Sequence, residues 1–146
     1  MPTEATTRQL VVFTLGSEEY ALPIRQVHEI IRYTEPRSVA AESGWVRGVI
    51  SLRGKIVPVY DLASRLGCAR CEDVAEQKIV IVEAAAQLAG VVVDDVDEVI
   101  TVEADQLERL PAADEAAIDS IVKLDDRLIV LLSPAGLFGL GAEIAA

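Results

Sequence analysis

Cys68 and Cys71 are separated by two residues, and two thiolates at this spacing can clamp zinc or close a redox disulfide. A closed zinc site needs four ligands, yet the chain has one histidine, His28, and no second cysteine pair. The pair does not open a helix after a strand, as redox motifs do, so its segment reads as a solvated connection. His28 is flanked by Val27 and Glu29, not by a nucleophile. No Gly-x-Ser-x-Gly elbow, Gly-x-x-x-x-Gly-Lys loop or His-Glu-x-x-His helix is present. Carboxylate pairs at Glu18-Glu19, Asp94-Asp95 and Asp125-Asp126 could divide acid and base roles, but all fall at expected turns, where Asp bonds its own backbone. The expectation is a protein without catalytic residues, metal or cofactor.

Arg53 differs from these candidates. It occupies an Arg-Gly turn whose counterpart later in the chain carries Asp125, so the turn itself does not require a guanidinium and the charge is available for recognition. The competing reading is a solvated turn arginine.

The chain has 146 residues, 51% of them hydrophobic, and a mean hydropathy of +0.34, which is one domain-sized object with ample material for a core. No apolar run approaches the roughly 18 residues of a membrane-spanning helix, and Met1-Pro-Thr-Glu-Ala-Thr-Thr-Arg8 lacks the apolar segment of a signal peptide. A soluble cytoplasmic protein is expected. A net charge of -11 repels phosphate backbones and anionic membrane surfaces, which argues against nucleic acid and against membrane insertion; the 4% aromatic content also removes base-stacking platforms.

The elements that must position any site are short and written twice. Val49-Ile-Ser-Leu-Arg-Gly-Lys-Ile-Val-Pro-Val-Tyr-Asp61 lies over Ile121-Val-Lys-Leu-Asp-Asp-Arg-Leu-Ile-Val-Leu-Leu-Ser133 at a shift of 72, turn over turn and helix cap over helix cap. Val11-Val-Phe13 lies over Val80-Ile-Val82, and Val27-His-Glu-Ile-Ile31 over Val96-Asp-Glu-Val-Ile100, at a shift of 69. Two copies are too few for a solenoid, so two packed subdomains with a seam are expected, and seams are where partners bind.

Residues 10 to 22 read as a hairpin around Gly16-Ser-Glu-Glu19. Pro23 suits a first helical position, and Ile24, Val27 and Ile31 mark one side of a short helix that gives way to extended chain at Ile30 to Tyr33. Trp45 to Leu52 alternates as a strand, in which Gly48 marks a bulge or a close backbone approach. Asp61 and Ser133 cap short helices, the first stopping at Gly67 and the second at Gly139. The fold class is all-β with short helices, and two five-stranded SH3-like barrels fit the strand count. The expected division is a flexible N-terminus (1–8), a first subdomain (9–67), a linker (68–77), a second subdomain (78–140) with a mobile loop at Pro111 to Asp119, and a C-terminal tail (141–146).

With these residues in place, the chain resembles the CheW family of chemotaxis coupling proteins from about Gln9 to Phe138. The resemblance rests on Val12-Phe-Thr-Leu-Gly-Ser-Glu-Glu-Tyr20, Val27-His-Glu-Ile30, Val46-Arg-Gly-Val-Ile-Ser-Leu-Arg-Gly-Lys-Ile-Val-Pro-Val-Tyr-Asp-Leu62 and Gly90-Val-Val-Val-Asp-Asp-Val96. Ser51 stands where the family usually has Asn. The resemblance implies a non-catalytic adaptor of two SH3-like subdomains that joins the histidine kinase CheA, through its regulatory domain, to the cytoplasmic tip of methyl-accepting receptors in membrane-associated arrays. It also implies a receptor groove formed by Val27, Glu29, Gly48, Arg53, Ile79, Val82 and Val96, with the apolar members filling between receptor side chains, Gly48 permitting close approach and the charges fixing orientation. Kinase contact is implied in the second subdomain, around Val80 to Val92. Strand alternation sends Ile79 and Val82 to opposite faces, so a core role competes with the interface role. Two alternatives stay open: a coupling protein of an alternative chemosensory or type IV pilus pathway, and a small metal or redox enzyme built on Cys68, Cys71 and His28.

Overall fold

The computed structural model describes residues 7–38, 46–66, 76–84, 86–109 and 117–138. Cys68, Cys71, Trp45, the two helix-stop glycines and most of the loop expected at 111–119 lie outside them. In chain order the strands are β1 (Thr7–Leu15), β2 (Glu18–Pro23), β3 (Val27–Arg32), β4 (Val46–Leu52), β5 (Lys55–Tyr60), β6 (Lys78–Ala84), β7 (Gln87–Val93), β8 (Asp95–Glu103), β9 (Leu107–Glu108), β10 (Ile118–Leu124) and β11 (Arg127–Leu132). Helix α1 (Leu62–Leu66) follows β5 and α2 (Pro134–Phe138) follows β11. Both caps form as their residue types require: Asp61 Oδ1 accepts from Ser64 N at 3.2 Å and Ser133 Oγ from Gly136 N at 3.3 Å.

The helix expected from Pro23 is a single 3₁₀ turn, Ile24–Gln26, and Pro23 itself ends β2 in extended conformation. Val27 and Ile31 belong to β3, because the β-branched run finds a ladder partner in β6 and tertiary pairing outweighs a weak helical spacing.

The strands form two sheets, ordered β8-β1-β2-β11-β10-β9 and β3-β6-β7-β5-β4. Moved by the repeat shift, β8-β1-β2-β11-β10 becomes β3-β6-β7-β5-β4, so both sheets have one plan. They are not, however, the two halves of the chain. The first hairpin of each repeat is lodged in the sheet of the other: β1-β2 sits between β8 and β11, and β6-β7 between β3 and β5. The subdomains expected at 9–67 and 78–140 therefore correspond to neither sheet. Each exchanged hairpin is joined on one side by a parallel pair, Ala21 beside Leu131 and Gly90 beside Val59, at positions that the repeat relates. No ladder links the outer strands of either sheet among the described residues, so the sheets are open where closed five-stranded barrels were expected.

The exchange follows from apolarity. Leu10 to Phe13, Ile79 to Val82 and Val91 to Val93 are continuous apolar runs, buried on both faces. The exchanged hairpins form the inner layer of the molecule. One face packs against the rest of the same sheet: Leu10, Val12 and Ala21 with Ile129 and Leu131, and Ile79, Ile81 and Val92 with Val57 and Val59. The other face meets the opposite hairpin in a central core of Phe13, Leu15, Tyr20, Leu22, Val80, Val82, Val91 and Val93, closed by Leu62 and Leu137 from the two helices. The Phe13 and Tyr20 rings stack there, 6.1 Å between centroids.

Register shifts recur at matching points, between Val27 and Glu29 in β3 and between Val46 and Gly48 in β4. In the other sheet β10 shifts between Ile118 and Ser120, and β8 skips Asp97 where it pairs with β1. Each leaves one unpaired residue, which bends the strand. The lone histidine, His28, is such a residue and is exposed.

Because each sheet contains strands from both halves, the sheets should unfold together. Ile129→Ala in one sheet and Ile79→Ala in the other are each expected to cost about 2–5 kcal/mol and to leave a single transition by far- and near-ultraviolet circular dichroism. Two separated transitions in either variant would refute the interlock.

Candidate functional site

Strand β3 places Val27 opposite Val82, Glu29 opposite Ile81 and Ile31 opposite Ile79. Ile79 and Val82 are 0% and 1% exposed and belong to two different cores, so alternation is satisfied with both of them inside; they support the site and offer no contact surface. Val27 and its repeat counterpart Val96 each precede a bulge, and both are half-buried against the central core.

Glu29 and Arg53 do come together. Arg53 Nη1 lies 2.8 Å from Glu29 Oε1, with the arginine side chain 69% exposed and the glutamate 21%. The other carboxylate oxygen, Oε2, is buried without a hydrogen-bond partner. Arg53 has φ of 50° and Gly54 φ of 85°, the geometry of a two-residue hairpin turn that favours Asn-Gly. An arginine in this left-handed region costs on the order of 1 kcal/mol. Strain of this kind gathers at sites where the side chain serves a purpose other than folding.

The second sheet solves the same problem differently. Its matching turn has Asp125 at φ of 57°, a residue type that tolerates this conformation. Glu98, the counterpart of Glu29, is held by Arg127 from two positions further on, with Nη2 at 2.9 Å from Glu98 and Nε and Nη2 at 3.1 and 2.8 Å from Glu19. These hydrogen bonds hold the Arg127 pKa far above its ordinary value. Arg127 is neutralised by two carboxylates and 34% exposed, which leaves Arg53 as the clasp open to a partner.

Gly48 is buried and marks the close backbone approach expected inside its strand. A Cβ there would collide with the carbonyl of Arg37, and φ is +152°. The backbone that approaches Gly48 is the chain's own: Arg37 and Val49 exchange two hydrogen bonds, at 2.8 and 2.9 Å. Beside it, Arg47 donates from Nη1 to the Tyr33 hydroxyl at 2.9 Å, places its guanidinium over the Tyr33 ring and brings Nε to 3.6 Å from the buried Asp61 Oδ2. Burial pushes the Tyr33 phenol pKa up. This brace beneath the Arg53 hairpin was not anticipated; its only trace in the sequence is a charged residue beside a glycine inside a strand.

The segment from Val80 to Val92, expected to meet the kinase, is the exchanged hairpin, and Val80, Ile81, Val82, Ala89, Val91 and Val92 are all buried. Among the described residues of this segment, only those about the tip, such as Glu83 and Gln87, are exposed. Among the described residues the exposed large aliphatics are instead Ile30, Ile56, Val99 and Leu128, which the repeat relates in two pairs. Sequence alone could not separate them from core residues. Leu128, Ile121 and Val130 floor a groove of ≈ 370 Å³. Its rim carries Glu18 and an ion pair, Lys123 Nζ to Glu108 Oε1 at 2.7 Å, in which Lys123 lowers the Glu108 pKa.

Among the described residues no cluster of three or more histidine, cysteine, aspartate or glutamate side chains could hold a metal, and no helix is long and apolar enough to cross a membrane. Three members of the carboxylate pairs serve structure: Glu19 binds Arg127, Asp94 accepts from Gly16 N at 2.7 Å and from Gln77, and Asp95 accepts from Val96 N.

Comparison with known proteins agrees with this geometry. The model of the CheW-like domain matches residues 9–141. The chain is 32% identical over 131 residues to the chemotaxis protein CheW of Bacillus subtilis, covering 87% of this chain and 84% of that protein. It is 31% identical over 87 residues to Protein PilI of Pseudomonas aeruginosa, covering 58% of this chain and 47% of that one. The crystal structure of the scaffolding protein TtCheW from Thermoanaerobacter tengcongensis superposes with a TM-score of 0.83 at 36% identity, over 90% of this chain and 92% of that one. The chain belongs to the CheW-like family and is a non-catalytic scaffold of the chemotaxis type.

Proposed function

We propose that this protein couples methyl-accepting receptors to the regulatory domain of the histidine kinase CheA, in the cytoplasm at membrane-associated receptor arrays. The observation that carries this reading is the exposed Arg53, kept in a costly backbone conformation and oriented by Glu29, in a scaffold without catalytic machinery. Receptor contact centres on Arg53 and Glu29, with Val27 and Val96 lining the seam between the sheets for a helical hairpin. Ile79, Val82 and Gly48 shape that surface from within. Kinase contact stays in the second half of the chain but uses the Leu128 groove, since Val80 to Val92 is occupied by the core. The coupling shifts the kinase's conformational balance by holding it beside the receptor. A second reading, an adaptor of an alternative chemosensory or type IV pilus pathway, is favoured by the similarity to Protein PilI.

Binding to the host's CheA regulatory domain and to a receptor-tip fragment tests this. Arg53→Glu is expected to weaken the receptor arm about tenfold or more, near 1.4 kcal/mol, and to leave the kinase arm unchanged. Leu128→Asp should do the reverse. Binding of the wild type to neither partner would sink the CheA assignment and direct the search to the kinases of alternative pathways.

Gly48→Ala separates support from contact. It should lower stability in urea denaturation by about 1–3 kcal/mol and weaken receptor binding only to the extent that the hairpin shifts. Full stability with lost receptor binding would instead place Gly48 in the interface.

A further inference from the structure

The start of β1 and the turn between β2 and β3 enclose a cleft of ≈ 740 Å³ that Arg8 and Arg25 both line. Its other described walls are neutral, including Gln9, Gln26 and the Thr7 and Thr101 hydroxyls, and no carboxylate lines it among the described residues. Arg25 is exposed and makes no hydrogen bond or ion pair among the described residues. Arg8 has one ion pair, to Asp119 at 3.4 Å with side chains 55% and 37% exposed, a type that contributes little.

The repeat shows what this corner of the fold accommodates. The positions matching Arg8 and Arg25 in the other sheet are Gln77 and Asp94, and there Gln77 Nε2 donates to Asp94 Oδ1 at 3.1 Å, with Gln77 only 5% exposed. The fold thus brings a donor and a carboxylate into hydrogen-bond contact at this point. In the Arg8 copy the carboxylate position is itself an arginine, so two arginines line one cleft with no acid among its described walls, in a chain of net charge -11. A cleft lined by two cations favours an anion, and guanidinium groups grip carboxylates in a two-pronged fashion.

We propose that the Arg8–Arg25 cleft receives a carboxylate side chain from an acidic segment of a partner protein. The cleft is open, and exposed guanidinium groups hold a free ion weakly against water and salt. A carboxylate carried on a docked protein surface arrives at high local concentration and fills more of the volume. This surface is additional to the receptor and kinase contacts proposed above and does not depend on them.

The test uses the full chain with labelled arginine side chains, following the Nε–Hε resonances of Arg8 and Arg25 by NMR. The probes are an acetyl-Glu-Ala-Glu-amide peptide and, separately, potassium phosphate. The expected result is a saturable shift of both arginines with the peptide, about tenfold tighter than with phosphate and lost in Arg25→Gln. The absence of a saturable shift would overturn the proposal. So would phosphate binding as tightly as the peptide, which would make this a free-anion site. A Glu4→Gln variant that alone moves the Arg25 resonance would also overturn it, by assigning the cleft to a carboxylate of the chain itself.

Discussion

Burial of two hairpins on both faces is the constraint from which the rest of this molecule follows. β1-β2 and β6-β7 carry uninterrupted apolar runs, and a sheet face exposed to water could not tolerate either. Each hairpin must have a sheet on one side and a second layer on the other. The arrangement that satisfies both places each hairpin in the sheet built by the opposite half of the chain, so that the hairpins press together in the central core. The parallel pairs at Ala21–Leu131 and Gly90–Val59 are the joints of this exchange.

The interlock turns a repeat into a single body with unequal ends. Both sheets have bulges at corresponding points, and both use a hairpin arginine to hold the glutamate that follows the bulge in the outer strand. The glutamate is fixed by the plan; the arginine is not. In one sheet it stands within the strand and is shared by two carboxylates, and in the other it stands on the turn, strained and largely exposed. One framework thereby yields a closed clasp and an open one. The same divergence separates Gln77 and Asp94, which satisfy each other, from Arg8 and Arg25, which share an open cleft.

Exposure of the aliphatic residues divides along the same line. Ile56 and Leu128 occupy matching places on outer faces, where no layer of the chain covers them. Residues of the same type at Ile79 and Val82 are enclosed because the exchanged hairpin is covered twice. Gly48 belongs with the enclosed set, the space of its missing side chain filled by the Arg37 carbonyl and the Pro36 ring.

The sequence by itself determined most of the strands, the two capped helices, the duplication, the Arg-Gly turn and the lack of a recognisable catalytic motif, because these depend on local chemistry: alternation, cap residues, turn propensity and residue types. It was also enough to single out Arg53, whose counterpart Asp125 shows that the turn can do without a guanidinium. Tertiary structure alone decided which half of the repeat each hairpin joins, since pairing depends on partners some 70 residues away that pattern cannot rank. It decided that Val27 becomes strand rather than helix, because β6 supplies the ladder. It also decided that Ile79, Val82 and the segment from Val80 to Val92 are core while Leu128 is surface. A valine or leucine in a strand has the same local signature in either place, and only the number of layers stacked against it separates core from interface.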